Sequence, residues 1–329
     1  MSTDSKNASI LEERLKKIAE VRAAVGQLPE KLSRFASDET VARYLRARNW
    51  NVKKATKMLK ETLKWRSEYK TEDICWEDIA SEAETGKVYR STSVDKKGRP
   101  VLVMRPSCQN TNSVAGQIKY VVYCMENAIL NMPPNQEQMI WLVDFWNFGL
   151  ANVSIKSAKE TAHVLQNHYP ERLGIAIMYN PPRIFEQFYR VVKPFLEPKT
   201  RNKVKFVYTD DPNSKKIMEE LFNMDQLESA FGGKSTESFD IHKFAQRMKE
   251  DDNKKRSLWE KGLDPFASTR CASTTKLSSS SDNDDQTEEE ESDDRSTPLS
   301  PAGESLSFSP DIGLSVTAMS LADHGDVKA

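Results

Sequence analysis

Between residues 169 and 198 the sequence joins a charged turn, a buried strand and a two-faced helix, and this unit constrains the fold more than any other stretch. Tyr169-Pro170-Glu171-Arg172-Leu173-Gly174 runs into the apolar strand Ile175-Ala176-Ile177-Met178-Tyr179, and then into Asn180-Pro181-Pro182-Arg183-Ile184-Phe185. At about 100° per residue, Ile184, Phe185, Phe188, Val191, Val192 and Phe195 form one apolar stripe, with Arg183, Glu186, Gln187, Arg190 and Lys193 opposite. Pro181 and Pro182 suit the start of that helix, and the prolines at 194 and 198 end it. Periodicity leaves two readings open: an ordinary crossover helix on a sheet, which is the simpler one, and a helix whose stripe meets lipid.

The rest of the chain supplies a setting for this unit. Ile10 to Gln27 carries Leu11, Leu15, Ile18, Val21 and Val25 at helical spacing; Ser37 or Asp38 caps a helix through Arg48, and Asn51 caps another through Tyr69. Val88 to Ser91 and Pro100 to Met104 read as strands around Asp95-Lys96-Lys97-Gly98, where Gly98 supplies the positive φ of a hairpin turn. Helix and strand patterns then alternate: a helix over Val114 to Met132, a strand over Met139 to Phe145, a helix over Ser154 to Asn167, and strands at Ile175 to Tyr179 and Val204 to Tyr208. Such alternation implies an α/β layer with a mainly parallel sheet, which the hairpin makes mixed. A last polar helix covers Phe239 to Gly262.

The division expected is therefore a helical lobe over 1–70, an α/β domain over 71–240, a helix over 241–262 and a tail over 263–329. Charge separates along the same line. The tail holds 14 acidic and 4 basic residues, net −10, which leaves 44 of the 48 basic and 35 of the 49 acidic residues, net +9, in the body. A basic body suits an anionic surface. The tail is Ser/Thr-rich and then acidic, too poor in apolar groups to offset chain entropy, so disorder is expected there. Ser281, Thr287 and Ser292 precede acidic residues, and Thr297, Ser300 and Ser309 precede prolines, which leaves two readings of the tail, a phosphorylated segment and a merely solubilising one.

Cys75, Cys108, Cys124 and Cys271 have no CxxC spacing, which argues against a metal site or a disulfide framework and for a reducing, cytoplasmic setting. No apolar run approaches the ~18 residues of a membrane span, so any membrane contact is expected to be peripheral and transient. Catalysis finds no signature. Gly233-Lys234-Ser235 would need an earlier glycine where Glu228 stands to be a phosphate loop; His163 and His168 have no GxSxG serine to serve; no aromatic and basic motif points to nucleic acid. Neither an enzyme nor a cofactor is expected.

Six ordered motifs resemble one family. Leu45-Arg46-Ala47-Arg48-Asn49-Trp50, Lys64-Trp65-Arg66, Asp95 to Pro100, Tyr169 to Gly174, the Lys193 to Pro198 stretch and Phe231-Gly232-Gly233-Lys234 are similar to the successive signatures of CRAL-TRIO lipid-binding proteins, in their phosphatidylinositol-transfer branch. The resemblance implies a helical lobe beside an α/β lobe whose sheet floors a lipid cavity, with the stripe helix as its gate and the stripe facing acyl chains. It places inositol-phosphate contacts on Arg48, Asp95, Glu171, Arg172, Thr200 and Lys203. Where the family's best-known members hold phosphatidylcholine with tyrosines and hydroxyls, this chain has Ser91, Leu102, Met139 and Trp141, so the second lipid need not be phosphatidylcholine. The implied activity is transfer of phosphatidylinositol or its presentation to a phosphoinositide kinase. The alternative is a carrier of another hydrophobic ligand, such as an isoprenoid, sterol or tocopherol-like molecule.

Overall fold

The computed structural model describes residues 3–149, 155–182 and 202–263. The stripe helix with Ile184, Phe185, Phe188, Val191, Val192 and Phe195, together with Thr200 and the acidic tail, lies outside the described residues.

The chain opens with four helices: α1 (Thr3–Val25), α2 (Glu30–Phe35), α3 (Asp38–Ala47) and α4 (Val52–Tyr69). The expected caps are present. Ser37 Oγ accepts the Thr40 N–H at 3.4 Å and Asn51 Oδ1 that of Lys54 at 2.9 Å, satisfying amides that the first turn leaves unpaired. Ile18, Val21, Val41, Leu45, Ala55 and Leu59 form the buried core of this bundle.

After α5 (Trp76–Ala83), β1 (Val88–Val94) and β2 (Pro100–Met104) form the hairpin, in which Gly98 takes a φ of 73°. The alternating part follows as α6 (Val114–Leu130), β3 (Met139–Asp144), α7 (Ile155–His168), β4 (Leu173–Tyr179) and β5 (Val204–Val207); α8 (Pro212–Leu221) and α9 (Ile241–Glu260) complete the described elements. The strands stand in the order β1-β2-β3-β4-β5, with β1 antiparallel to β2 and every other neighbour parallel, so the sheet is mixed and mainly parallel as the sequence implies. Helices α2, α5 and α8 are additions to the sequence reading, and α1 begins earlier than its apolar spacing indicates.

The two faces of the sheet are covered differently. On one, Val103, Leu142, Ile177 and Tyr179 join a single core with Met218, Phe222 and Phe231, whose ring meets Tyr179 edge-on at 5.3 Å. The turn carrying Phe231 requires Gly233: a Cβ there would sit 1.9 Å from the Leu227 carbonyl oxygen. Helix α9 ties the hairpin to α6. Asp251 accepts from Arg90 at 2.7 Å and from Asn127 at 2.9 Å, while Asp252 accepts the Trp76 amide at 2.7 Å.

On the other face, parallel register aligns Leu102, Trp141, Ala176 and Val204 in one row and Met104, Val143, Met178 and Phe206 in the next. Here the middle strand is only half-covered: Trp141 and Val143 stay half-buried, although Ile140 and Leu142, pointing the opposite way, are fully buried. On β3, β4 and β5 the residues of this face form a second apolar cluster with Phe145, Phe148 and Leu173, whereas Leu102 and Met104 pack with the main core and Trp141 touches both. No helix among the described residues is long and apolar enough to cross a membrane.

Candidate functional site

The turn from α7 into β4 is where the helical bundle, the sheet and the sequence-derived site residues meet. Its first half is locked. Arg66, 1% exposed, donates from Nη1 and Nη2 to the two carboxylate oxygens of Glu126 at 2.8 and 3.1 Å, and from Nε to Glu72 at 2.9 Å. The Tyr169 hydroxyl donates to the same Glu126 at 2.7 Å. Trp65 stacks on His168 with ring centroids 4.1 Å apart and planes 5° from parallel. Thr62 donates to the Asn167 carbonyl at 3.0 Å, and its hydroxyl lies 3.2 Å from His168 Nδ1. Burial works against the Arg66 charge, but Glu126 and Glu72 outweigh it and raise its pKa above the usual range. Burial, with His163 and Arg66 adding to it, pushes His168 down to about 4.

The second half of the turn divides two neighbours. Glu171 adopts a φ of 58°, a left-handed conformation uncommon for a residue with a Cβ, and its carboxylate lies 3.8 Å from Lys203 Nζ at the entry to β5. Arg172 enters a small cavity between bundle and sheet, lined also by Arg43, Tyr44, Arg66, Glu126 and Tyr169. Its Nη1 donates to the Glu137 carbonyl oxygen at 3.0 Å, while the Glu137 carboxylate is held by Arg43, at 3.2 Å, and by Arg46. Three guanidinium groups thus gather around one residue, two on its carboxylate and one on its backbone carbonyl. Burial lowers Arg172 to about 9, and repulsion from Arg43 adds to the shift, beyond what Glu137 and Glu126 restore.

The structure therefore brings Glu171 and Lys203 together and gives Arg172 a different set of partners. Arg48 caps the C-terminus of α3, with Nη1 donating to the Ala47 carbonyl at 3.0 Å. Asp95 closes the hairpin: one oxygen accepts the Lys97 and Arg99 amides at 3.0 and 2.7 Å, and the other accepts Arg99 Nε at 2.8 Å. Asp95 reaches the turn only through Arg99, whose guanidinium lies against Gly174. Thr200 lies outside the described residues. Of the residues named for the second lipid, Leu102 and Trp141 lie on the half-covered face, Met139 is fully buried, and Ser91 donates to Glu228 at 3.0 Å. The sequence reading missed Arg43, Glu126 and Glu137, which no motif includes. Only Arg66 carried a signal, as part of Lys64-Trp65-Arg66.

With this geometry in hand, comparison with known proteins is consistent along the chain. Residues 83–233 match the CRAL/TRIO domain and residues 12–61 the CRAL/TRIO N-terminal domain. A CRAL-TRIO domain-containing protein of Schizosaccharomyces pombe is 37% identical over 196 residues, 59% of this chain and 19% of that protein. Phosphatidylinositol transfer protein PDR17 of Saccharomyces cerevisiae is 34% identical over 212 residues, 60% of this chain and 58% of that protein. The chain thus spans less than two thirds of the length of these two relatives. The SEC14 cytosolic factor of Candida glabrata is 30% identical over 217 residues, 60% of this chain and 71% of that protein. In fold, the crystal structure of Sfh5 matches with a TM-score of 0.50 at 17% identity, covering 78% of this chain and 96% of that one. The chain belongs to the CRAL/TRIO family, with phosphatidylinositol transfer proteins among its relatives.

Proposed function

We propose that the protein binds phosphatidylinositol over the half-covered sheet face and exchanges it between membranes, or presents it to a phosphoinositide kinase, as a carrier with no catalytic step of its own. The observation that carries this reading is the Glu171-Arg172 turn with Lys203 across from it. A phosphate monoanion suits the Lys203 ammonium and the Arg172 charge, which the fold leaves under-compensated; each charge-assisted hydrogen bond is worth about 1.5–3 kcal/mol. Glu171 can accept from inositol hydroxyls. Arg48 and Thr200 belong to the proposed contact set; Asp95, whose carboxylate is taken up by Arg99 and two amides, is assigned to holding the hairpin.

Exchange without catalysis is energetically reasonable. Two acyl chains represent on the order of 20 kcal/mol relative to water, at about 0.8 kcal/mol per methylene, but the bilayer offers nearly the same. Only the difference opposes transfer. Under this reading the protein is cytoplasmic and touches anionic membranes transiently, the stripe at Ile184 to Phe195 covers the acyl chains, and headgroup contacts select the lipid.

The test is mass spectrometry of lipids that co-purify with the full chain after incubation with mixed liposomes. Phosphatidylinositol is expected in the wild type and its loss in Lys203→Ala. A neutral lipid in place of phosphatidylinositol, indifferent to Lys203, would show that the headgroup assignment is wrong.

A further inference from the structure

The outer side of α4 is a ridge of like charge that neither the fold nor the proposed carrier function uses. At about 100° per residue, Lys53, Lys57, Lys60 and Lys64 fall within about 60° of one another, and all four are exposed. Ala55, Leu59, Thr62, Leu63 and Arg66, all buried, occupy the opposite side. Lys54 stands beside the ridge. Among the described residues Lys53, Lys54, Lys57 and Lys60 have no acidic partner; Lys64 lies 3.9 Å from Glu68 in an exposed pair, and Glu61 is the other carboxylate on this side. Like charges three and four residues apart on a helix repel one another, so an anionic partner lying along the ridge would relieve them.

The direction of the ridge narrows the choice of partner. Thr62, on the side opposite the lysines, bonds the end of α7, and α7 in turn packs Val164 and Leu165 into the main core on the covered side of the sheet. The ridge therefore points away from the half-covered face, and a bilayer lying against that face would not meet it. The end of the described chain offers a nearer partner. After α9 the Leu263 carbonyl accepts from Arg34 on α2 at 3.5 Å, and the ring of Phe35, next in that helix, lies 4.1 Å from the guanidinium carbon of Arg66 on α4. The chain thus leaves the body beside α4. Residues 264–281, 18 in all, can span up to about 60 Å, more than the ~27 Å length of α4. They lead into residues 282–294, which hold nine acidic residues and no basic one. Exposed ion pairs are individually weak, but attachment to the same chain supplies a local concentration on the order of millimolar.

We propose that the acidic segment from Asp282 to Asp294 of this chain docks along the Lys53-Lys57-Lys60-Lys64 ridge of α4. The inference goes beyond the carrier reading and does not depend on which lipid the protein holds.

The test is carbodiimide cross-linking of the full chain, which joins carboxylates directly to lysine amines, read by mass spectrometry on an equal mixture of ordinary and nitrogen-15-labelled protein. At low salt the segment should cross-link to the ridge lysines about threefold more than to Lys216 and Lys243, exposed lysines elsewhere, and within single chains. Salt at about 1 M, where the screening length is about 3 Å, should remove that preference. Lys57→Gln/Lys60→Gln changes only exposed side chains, and should lower cross-linking at Lys53 and Lys64 about threefold although both keep their amines, while retention on phosphatidylserine vesicles stays unchanged. Cross-links spread evenly over exposed lysines, or undiminished at Lys53 and Lys64 in the double variant, would overturn the proposal. So would cross-links joining labelled to unlabelled chains, which would put another copy's tail on the ridge. A double variant that loses vesicle retention would overturn it too, by making an anionic bilayer the partner of the ridge.

Discussion

The junction between bundle and sheet and the half-covered face of the sheet lie on either side of one turn, and they are built in opposite ways. At the junction the charges around Arg66 and Glu137 are answered at short range, Arg66 by Glu126 and Glu72, Glu126 also by Tyr169, Glu137 by Arg43 and Arg46, and Arg172 is the under-compensated exception. On the half-covered face the side chains are apolar, partly open at Met104, Trp141, Val143, Val204 and Phe206, and at Trp141 Nε1 without a hydrogen-bond partner among the described residues. A saturated polar network has one good arrangement and resists motion; an apolar surface accepts many partners of similar shape. The molecule thus holds its lobes rigidly where lipid is not expected and keeps its adaptable surface where lipid is proposed. Glu171 and Arg172, adjacent in sequence, stand where the two regions meet: Glu171 faces Lys203, and Arg172 reaches into the junction cavity, from which the proposed headgroup contact would be made.

The sharpest way to break this comparison is to remove a charge from each part of the turn. Arg66→Ala leaves Glu126 and Glu72 buried without their shared cation and should cost roughly 3–5 kcal/mol of unfolding free energy. Arg172→Met removes a charge that burial and Arg43 already penalise, so it should cost less than about 1 kcal/mol or even stabilise the protein. Urea unfolding of both variants measures this. Equal losses would mean that the two guanidinium groups serve the same structural end.

A second comparison uses two phenylalanines on opposite faces. Phe231, 1% exposed, packs on Tyr179 in the main core, and Phe231→Ala should cost about 3–5 kcal/mol. Phe206 is half-buried in the separate cluster, and Phe206→Ala should cost about 1–2 kcal/mol because less surface leaves water there on folding. Thermal melts that rank the two the other way would show the half-covered face to be a packed core.

Acid probes the junction alone. His168 has a folded pKa of about 4, below the 6.5 of an unconstrained imidazole, so the unfolded chain takes up its proton first. The stabilising contribution is complete above pH 6.5 and is lost as pH falls through 6.5 towards 4. Relative to His168→Asn, the wild type should lose on the order of 1–2 kcal/mol across that window, a figure reduced for partial exposure to solvent. Parallel pH profiles for the two proteins would show that Trp65 and Thr62 hold the protonated ring as well as the neutral one.

What could be read in the sequence follows the range of the interactions. Caps at Ser37 and Asn51, the turn glycine Gly98 and the alternation of strands with helices are local or periodic, and each stands where the sequence places it. Helix α8 was missed although Asp211 and Pro212 mark its start, because Lys215, Lys216, Glu219 and Glu220 dilute the apolar period. Helix α5 begins at Cys75, a residue outside the usual capping set. The site was harder still. Arg43 and Glu137 stand 94 residues apart, and no spacing rule connects them. The association of Glu171 with Lys203 came from the family resemblance, since the intervening chain hides it from any local pattern. The unpaired Nε1 of Trp141 has no sequence signature, being a property of what surrounds it.

The smallest expected change in stability carries the clearest functional meaning. Lys203 and Glu171 pair at 3.8 Å with about a fifth of each side chain exposed, so solvent screens much of their attraction, and Lys203→Ala should cost about 0–1 kcal/mol. A substitution that leaves the melting curve nearly in place but removes phosphatidylinositol loading separates binding from folding, which Arg66→Ala cannot do. If Lys203→Ala instead destabilises the protein as much as Arg66→Ala, the Glu171–Lys203 pair belongs to the rigid junction, and the division of the turn between structure and binding fails at the residue on which it most depends.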